Sequence, residues 1–382
     1  DRKDLIDAIS GQQLITFTRA SAGTYVGSDG LIKTATTNEA RFDHDPETGE
    51  SLGLLREESR TNLLLQSEDF STTWALSNMR VFGSGSTVNA VIAPDGTLTA
   101  DHIVEDTSTG NHNIGQAAAV VSGSAYSISV YAKAPAQSRQ LQILVANTNF
   151  TVTPQAIFDA STGSVVSSVN GTASIMPFGN GWYRCQFTTI SATSSGSNGF
   201  NLRFYDGATN SYTGDDTSGL YLWGAQIEAG DFPTSYIPTT SSTVTRSADV
   251  VTDTSTGANI RTLYAEFRSP GSGTQPIVSL DDDTANERIE LLTSGTDPKL
   301  LVTDGGSAVA DIDAGTVTAN TLAKLAARFA TDDYAAAVDG GTLQTDTSGT
   351  LPTVDRIRIG SNQAGDYFTG TIARITGWDE EL

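Results

Sequence analysis

The chain of 382 residues is 17% charged, holds 37 glycines and carries a formal charge of −22, from 22 Lys plus Arg against 44 Asp plus Glu. Its average field repels a phosphate backbone, so nucleic acid is excluded as a general partner, while an anionic glycan needs a local basic patch or a bridging cation. Its 1 cysteine excludes an intrachain disulfide, and no apolar run approaches the roughly 18 residues of a membrane-spanning helix, so no membrane insertion is expected.

The length exceeds a single core at about 100 to 200 residues per domain, and the Gly, Ser and Thr content points to short strands joined by turns, an all-β chain. Opening on Asp rather than Met, the chain is expected to be a piece of something larger. Residues 1–65 read as an irregular N-terminal attachment or packing region of short strands and loops, set against the next domain or a neighbouring subunit. Turns fall at residues 28–30 and 46–49, and residues 4–9 suit one or two helical turns. The charged knot of Arg56, Glu57, Glu58 and Arg60 is expected to be an exposed ion-pair cluster of little energetic weight. A catalytic pair is disfavoured there, because adjacent Glu57 and Glu58 on a strand point opposite ways.

Residues 66–240 read as a two-sheet jelly roll. Tyr126, Ile128, Val130 and Ala132 alternate inward with Ser127, Ser129, Tyr131 and Lys133 outward, the pattern of a half-buried antiparallel strand. Leu202 and Phe204 likewise go to the core and leave Asn201, Arg203 and Tyr205 outside. Tyr183, Cys185 and Phe187 face in while Trp182, Arg184 and Gln186 face out, so Cys185 reads as a small buried hydrophobe rather than a nucleophile. Farther on, Tyr221, Trp223, Ala225 and Ile227 share one side of a strand and Leu220, Leu222, Gly224 and Gln226 the other. Both sides are apolar, so this strand is covered twice, and Pro233 and Pro238 close the domain near residue 240. Residues 83–86 and 194–199 are Gly- and Ser-rich loops.

Residues 241–382 follow a Ser/Thr-rich linker and read as a second sandwich. Leu263, Ala265 and Phe267 alternate with Tyr264, Glu266 and Arg268; Ile289 and Leu291 alternate with Arg288 and Glu290; Ile357 and Ile359 alternate with Arg356 and Arg358. Residues 318–330 fit a helix by the spacing of Leu322, Leu325, Ala326 and Phe329, but their context favours a strand over 324–329.

Several separated motifs carry a resemblance. The runs GWYRCQFT (181–188) and LYLWGAQIEAGDFPTSYIPT (220–239) resemble the carbohydrate-binding-module-like jelly roll of bacteriophage tail-fibre and head-spike proteins. FTRASAGTY (17–25), ARFD (40–43) and GLLREESRTNLL (53–64) resemble the leader that precedes it there. LYAEFR, LAARFATDDYAAAVDGG and RIRIGSNQAGDYFTGTIARITGWDEEL resemble a laminin-G or concanavalin-A-like domain. The resemblance implies a virion appendage and says little about chemistry.

No constellation for catalysis stands out. The chain lacks a Gly-x-Ser-x-Gly elbow, a His-Glu-x-x-His pair, a phosphate loop, a Cys pair for zinc and the Glu-x-Asp-x-x-Glu of sandwich-fold glucanases. His44, His102 and His112 sit in polar surroundings and are expected at the surface or in loops. Asp281, Asp282 and Asp283, with Asn286 and Glu287, offer oxygen ligands to calcium but lack an EF-hand's spacing, so a solvated acidic turn is the plainer reading. Residues 62–70 resemble a first strand that holds structural calcium in such modules, while the late acidic position falls at Trp223 or Gly224.

Glycan binding needs apolar platforms for sugar rings and amide, carboxylate or Arg groups for hydroxyls. Exposure parity selects Tyr131, Lys133, Trp182, Arg184, Asn201, Arg203, Tyr205 and Tyr212 for one exposed sheet face or its rim, with Trp223 as core. No catalytic residue is assigned, and no cofactor beyond a structural calcium. The expected protein is a fibre or spike component on the outside of a virion, not an enzyme, that grips host surface polysaccharide beside other virion proteins as a homo-oligomer, a trimer by preference. A purely structural spacer and a polysaccharide-degrading glycosidase or lyase are the alternatives.

Overall fold

A computed structural model describes residues 16–82, 89–253 and 259–381. The helical turns at 4–9 and the loop at 83–86 lie outside the described residues. The described elements are strands, with a 3₁₀ turn at Asn147–Asn149 and no α-helix among them. Low charge density and frequent Gly, Asn and Asp turns allow the strands to pair antiparallel throughout.

The first sandwich closes between two sheets. One runs Gly171–Pro177, Trp182–Thr189, Tyr126–Lys133, Gly219–Ala229, Ala100–Glu105 and Met79–Phe82, with Asn89–Val91 also pairing onto Ala100–Glu105. The other runs Ser164–Val169, Gln155–Asp159, Gln140–Val145, Gly196–Tyr205, Asn113–Val120 and Ala75–Ser77. Ile128, Val130, Ile143, Phe187, Leu202 and Phe204 meet between them in one buried cluster. Alternation sends these residues inward, as their sequence parity requires.

Parity fails in the middle of Gly219–Ala229, at Gly224. That residue has φ +63°, and two residues of Gly219–Ala229 oppose one residue of Tyr126–Lys133 between the Ser129–Gln226 and Tyr131–Trp223 pairs. The bulge reverses the faces. Leu220, Leu222, Ala225 and Ile227 therefore all enter the sandwich core, while Tyr221 and Trp223 turn to the other side. There Trp223 packs with Tyr131, Phe178, Trp182, Tyr236 and Ile32 in a second apolar layer outside the sandwich.

The second sandwich pairs two seven-stranded sheets over a core that includes Leu263, Phe267, Ile289, Leu291 and Phe329. The ambiguous 318–330 segment contains the strand Ala323–Ala330, which pairs with Thr262–Arg268 and Asp333–Val338. Sequence sets residues 1–65 apart, and three of their strands join the sheets of this C-terminal sandwich while Gly23–Val26 and Ile32–Ala35 pair with each other. Thr16–Thr18 pairs with Val250–Asp253, and Ser51–Arg56 pairs with both Gly370–Trp378 and Phe42–His44.

A buried charge hub locks these parts together. Arg41 Nη1 lies 2.7 Å from Glu57 Oε2, and the same guanidinium reaches Asp249 through Nη2. Arg19 Nη1 is 3.1 Å from Asp249 Oδ1, and Arg246 Nε is 3.4 Å from Glu57 Oε2. Ser235, in the segment leaving the jelly roll, donates to Glu57 from both its backbone N–H and its hydroxyl at 2.6 Å. Arg56 reaches across to the Gly360 carbonyl at 2.8 Å. The charged knot is thus not exposed: Arg56, Glu57 and Arg60 are buried and only Glu58 stays at the surface. Its partners come from distant parts of the chain, which is why local sequence could not reveal the burial.

Candidate functional site

Gly196–Tyr205 is the fourth strand of its sheet and presents Asn201, Arg203 and Tyr205 half-exposed on the side away from the core. Register aligns Asn113, Arg203 and Gln142 in one row, and Gly115, Asn201 and Leu144 in the next. Gly115 has to be small, since a Cβ there would lie 2.6 Å from Asn201 Oδ1 and from the Phe200 carbonyl. The Asn201 amide occupies the space that a side chain at Gly115 would fill.

Arg203 Nε donates to Asn113 Oδ1 at 3.1 Å, and partial burial lowers the guanidinium's pKa. Among the described residues, its terminal nitrogens and the Asn201 amide have no hydrogen-bonding protein partner. Tyr205 donates its hydroxyl to the Ala208 carbonyl at 2.7 Å, which fixes the ring at the end of the row. Beside it lies a polar cavity of about 100 Å³ lined by residues that include Arg139, Gln140, Asp159 and Asp206. Ring face, amides and guanidinium together supply the chemistry that sugar hydroxyls and C–H faces need.

Tyr131, Lys133, Trp182 and Arg184 lie on the opposite sheet and Tyr212 on neither, so the eight do not form one surface. Register places Tyr131 beside Arg184 and Lys133 beside Trp182, with the jelly-roll core between them and Asn201. Tyr131 and Trp182 are only 2% and 3% exposed, which removes both as open platforms. They do leave the sandwich core as parity requires, but the second apolar layer covers them, and Trp182 Nε1 donates to the Ile92 carbonyl at 3.1 Å. Lys133, half-buried, borders an apolar hollow with Ile92, Leu98 and Phe178.

Arg184 donates to Ser129 Oγ at 3.0 Å and to the Thr234 carbonyl at 2.6 Å, and stacks over Tyr131 at 5.5 Å. Tyr212 stands apart on the short strand Ser211–Thr213 and donates its hydroxyl to buried Glu105 at 2.7 Å. Burial, followed by that carboxylate, pushes its pKa up. Arg139 grips the same Glu105 through two nitrogens at 2.9 and 2.6 Å, so the Tyr212 hydroxyl is already engaged.

Where the N-terminal strands, the jelly roll and the C-terminal sandwich meet, a cleft of about 260 Å³ opens. Tyr131, Phe178, Phe232 and Met176 form apolar walls, with Asp43, Arg184, Gln186 and Arg268 among the polar lining residues. Burial raises the Asp43 carboxyl to about 6, against the Val26 N–H that donates to it at 2.7 Å. For neighbouring Glu57, burial also acts upward, but Arg246, Arg41 and Ser235 outweigh it and hold the group at about 2. Sequence reading missed Asp43, Phe178, Phe232 and Arg268, because their convergence depends on domain packing.

The remaining polar groups have structural partners. Asp281 is buried, receives Arg358 Nε at 2.8 Å and accepts the Asp283 N–H at 2.9 Å, so the acidic run is partly neutralised rather than freely solvated. Asn62 spends its amide on the Ala225 and Ile237 carbonyls and on the Leu64 and Ile227 N–H groups. No group of three His, Cys, Asp or Glu is arranged to hold a metal among the described residues. His112 departs from its expected surface position: it is fully buried, with Nδ1 2.7 Å from the Asn78 carbonyl and its ring against Tyr212. His44 lies 3.1 Å from the Val26 carbonyl through Nδ1, and His102 stacks on Tyr221. Cys185 is buried, and burial drives its thiol pKa well up, away from nucleophilic thiolate. No described helix is long and apolar enough to cross a membrane.

No family model and no curated protein matches the chain. Among solved structures it is similar to the CBM40 of the Ruminococcus gnavus IT-sialidase, at 16% identity over 33% of this chain and 79% of that one, TM-score 0.29. It is also similar to mouse laminin alpha1 chain domains LG4-5, at 12% identity over 71% and 88%, TM-score 0.27. The LG1-3 region of the laminin alpha2 chain matches at 11% identity over 70% and 61%, TM-score 0.20. Scores this low do not place the chain in a family of known activity.

Proposed function

We propose that this chain is a non-catalytic glycan-binding component of a bacteriophage fibre or spike, carried outside the virion beside other virion proteins and gripping host surface polysaccharide. The observation that carries the binding is the half-exposed outer row of the Gly196–Tyr205 strand, where the Asn201 amide and the Arg203 terminal nitrogens have no protein partner among the described residues. Asn201, Arg203 and Tyr205 act as the grip, with Gln140 and the adjoining polar cavity extending it. The phage context rests on the ordered sequence motifs. Those motifs contain Arg19, Arg41, Arg56, Glu57 and Arg60, residues that brace the N-terminal segment in the structure.

A homotrimer suits this role, since several modest sites on one assembly raise effective concentration. Glycan-array binding by the intact chain tests the reading. Binding is expected to fall at least tenfold with Arg203→Ala or Tyr205→Ala at unchanged melting temperature. Absence of binding to any host glycan or host cell supports a spacer instead, and progressive shortening of the polysaccharide supports an enzyme.

A further inference from the structure

The junction cleft presents an arrangement unlike the rest of the surface. Arg184 and Arg268 line it, and among the described residues neither forms an ion pair, although the chain holds 44 acidic residues against 22 basic ones. Arg184 is held by a hydroxyl and a carbonyl, and Arg268 donates to the Leu52 carbonyl at 3.4 Å, with Asp45 near enough to feel its charge. The lining also holds the carboxylates of Asp43 and Glu57, and the hub behind them sets Arg19, Arg41, Arg56 and Arg246 against Glu57 and Asp249. Cations in excess at a partly enclosed site create a local positive field that a low-dielectric wall focuses.

The apolar walls narrow the choice further. Phe178, Phe232 and Tyr131 are almost entirely buried, yet they border the cavity, while Met176 is 48% exposed at its rim. Aromatic and thioether surfaces suit the C–H face of a ring. Gln186 and Asn320 bring amides to the lining for hydroxyls. At about 260 Å³ the cleft falls below the roughly 300 Å³ where pockets begin to take drug-sized ligands, so one sugar ring is the scale that fits.

We propose that the junction cleft is a second binding site, distinct from the amide-rich face, for a single carboxylate-bearing pyranose of the hexuronate class. The carboxylate sits toward Arg184 and Arg268, whose forks suit bidentate recognition, and the ring lies along the aromatic wall. Asp43, also in the lining, opposes the anion by like charge. The site is independent of the outer face, so either reading can fail alone.

Titration calorimetry on the full chain with glucuronate, galacturonate and their neutral hexose counterparts tests it. A hexuronate is expected to bind at least about tenfold tighter than the matching hexose, the scale of a charge-assisted hydrogen bond. Arg268→Gln is expected to remove that preference. Asp43→Asn, which keeps the acceptor for the Val26 N–H, is expected to strengthen hexuronate binding severalfold. Arg203→Ala is expected to leave it unchanged. Equal affinity for hexose and hexuronate, no binding at millimolar hexuronate, or weaker hexuronate binding by Asp43→Asn overturns the proposal. If Arg268→Gln does not fold, the hexose comparison and Asp43→Asn still decide.

Discussion

The two outer faces of the jelly roll start from the same strand alternation and end differently. On one sheet, Tyr131, Trp182 and Trp223 leave the core only to be covered by Ile32, Phe178 and Tyr236, so their aromatic surface becomes structure. On the other, Asn201, Arg203 and Tyr205 leave the core and stay half-exposed, with no such apolar layer over them among the described residues. Residue type does not separate the faces, since both offer an aromatic ring next to an arginine. What separates them is cover brought from elsewhere in the chain: Ile32 of the N-terminal segment, which the charge hub holds in place, together with Phe178 and Tyr236. A face becomes a grip only where the rest of the chain leaves it open.

The largest expected effect tests that clamp. Asp249→Ala leaves Arg19 and Arg41 buried without their shared carboxylate, and a broken buried pair costs about 3–5 kcal/mol. Denaturant unfolding should show that loss; less than about 1 kcal/mol would mean that water reaches the hub. A comparable loss of about 3–5 kcal/mol is expected for Trp223→Ala in the covered layer, from lost burial and the cavity left behind. Polysaccharide affinity at the open face should not change in this variant under conditions where it remains folded.

Acid weakens the clamp by about 3 kcal/mol through Glu57, whose folded pKa of about 2 lies below its ordinary 4.5. A depressed carboxylate contributes stability above its unfolded pKa and loses it as pH falls, so the loss runs from about 4.5 down to about 2. Asp43 acts in the opposite sense. Raised to about 6 from 3.8, its contribution is full below 3.8 and disappears as pH rises through 6. Unfolding curves across pH for the wild type and Glu57→Gln separate the two, since the variant should lose the acid limb.

Gly224→Ala is expected to cost about 1–2 kcal/mol, because φ of +63° disfavours a Cβ and that atom would sit 3.0 Å from the Tyr131 ring. A neutral melting temperature would contradict the bulge that turns Trp223 into the covered layer. The smallest effect belongs to the open face. Asn201→Ala should change stability by within about 0.5 kcal/mol while weakening glycan binding, the reverse of the Trp223 result.

Alternation alone made the sandwiches readable, down to the inward set at Leu263, Ala265 and Phe267 and the strand at Ala323–Ala330 where helical spacing competed. It also placed Asn201, Arg203 and Tyr205 outside the core. What it could not show depends on long-range packing. A single residue inserted at Gly224 reverses parity for the rest of a strand without changing its composition. Tyr131 and Trp182 look open because their cover comes from residues such as Ile32 and Tyr236, far along the chain. The charged knot at 56–60 looks like a solvated cluster because Arg41, Arg246 and Asp249 are remote in sequence.

Side-chain footprinting with hydroxyl radicals, on the intact chain with and without saturating host polysaccharide, tests the central claim most directly. Tyr205, half-exposed, is expected to gain protection, while Trp223 in the covered layer stays unreactive in both states. Demonstrated polysaccharide binding with Tyr205 unchanged would contradict the assignment of that face as the grip.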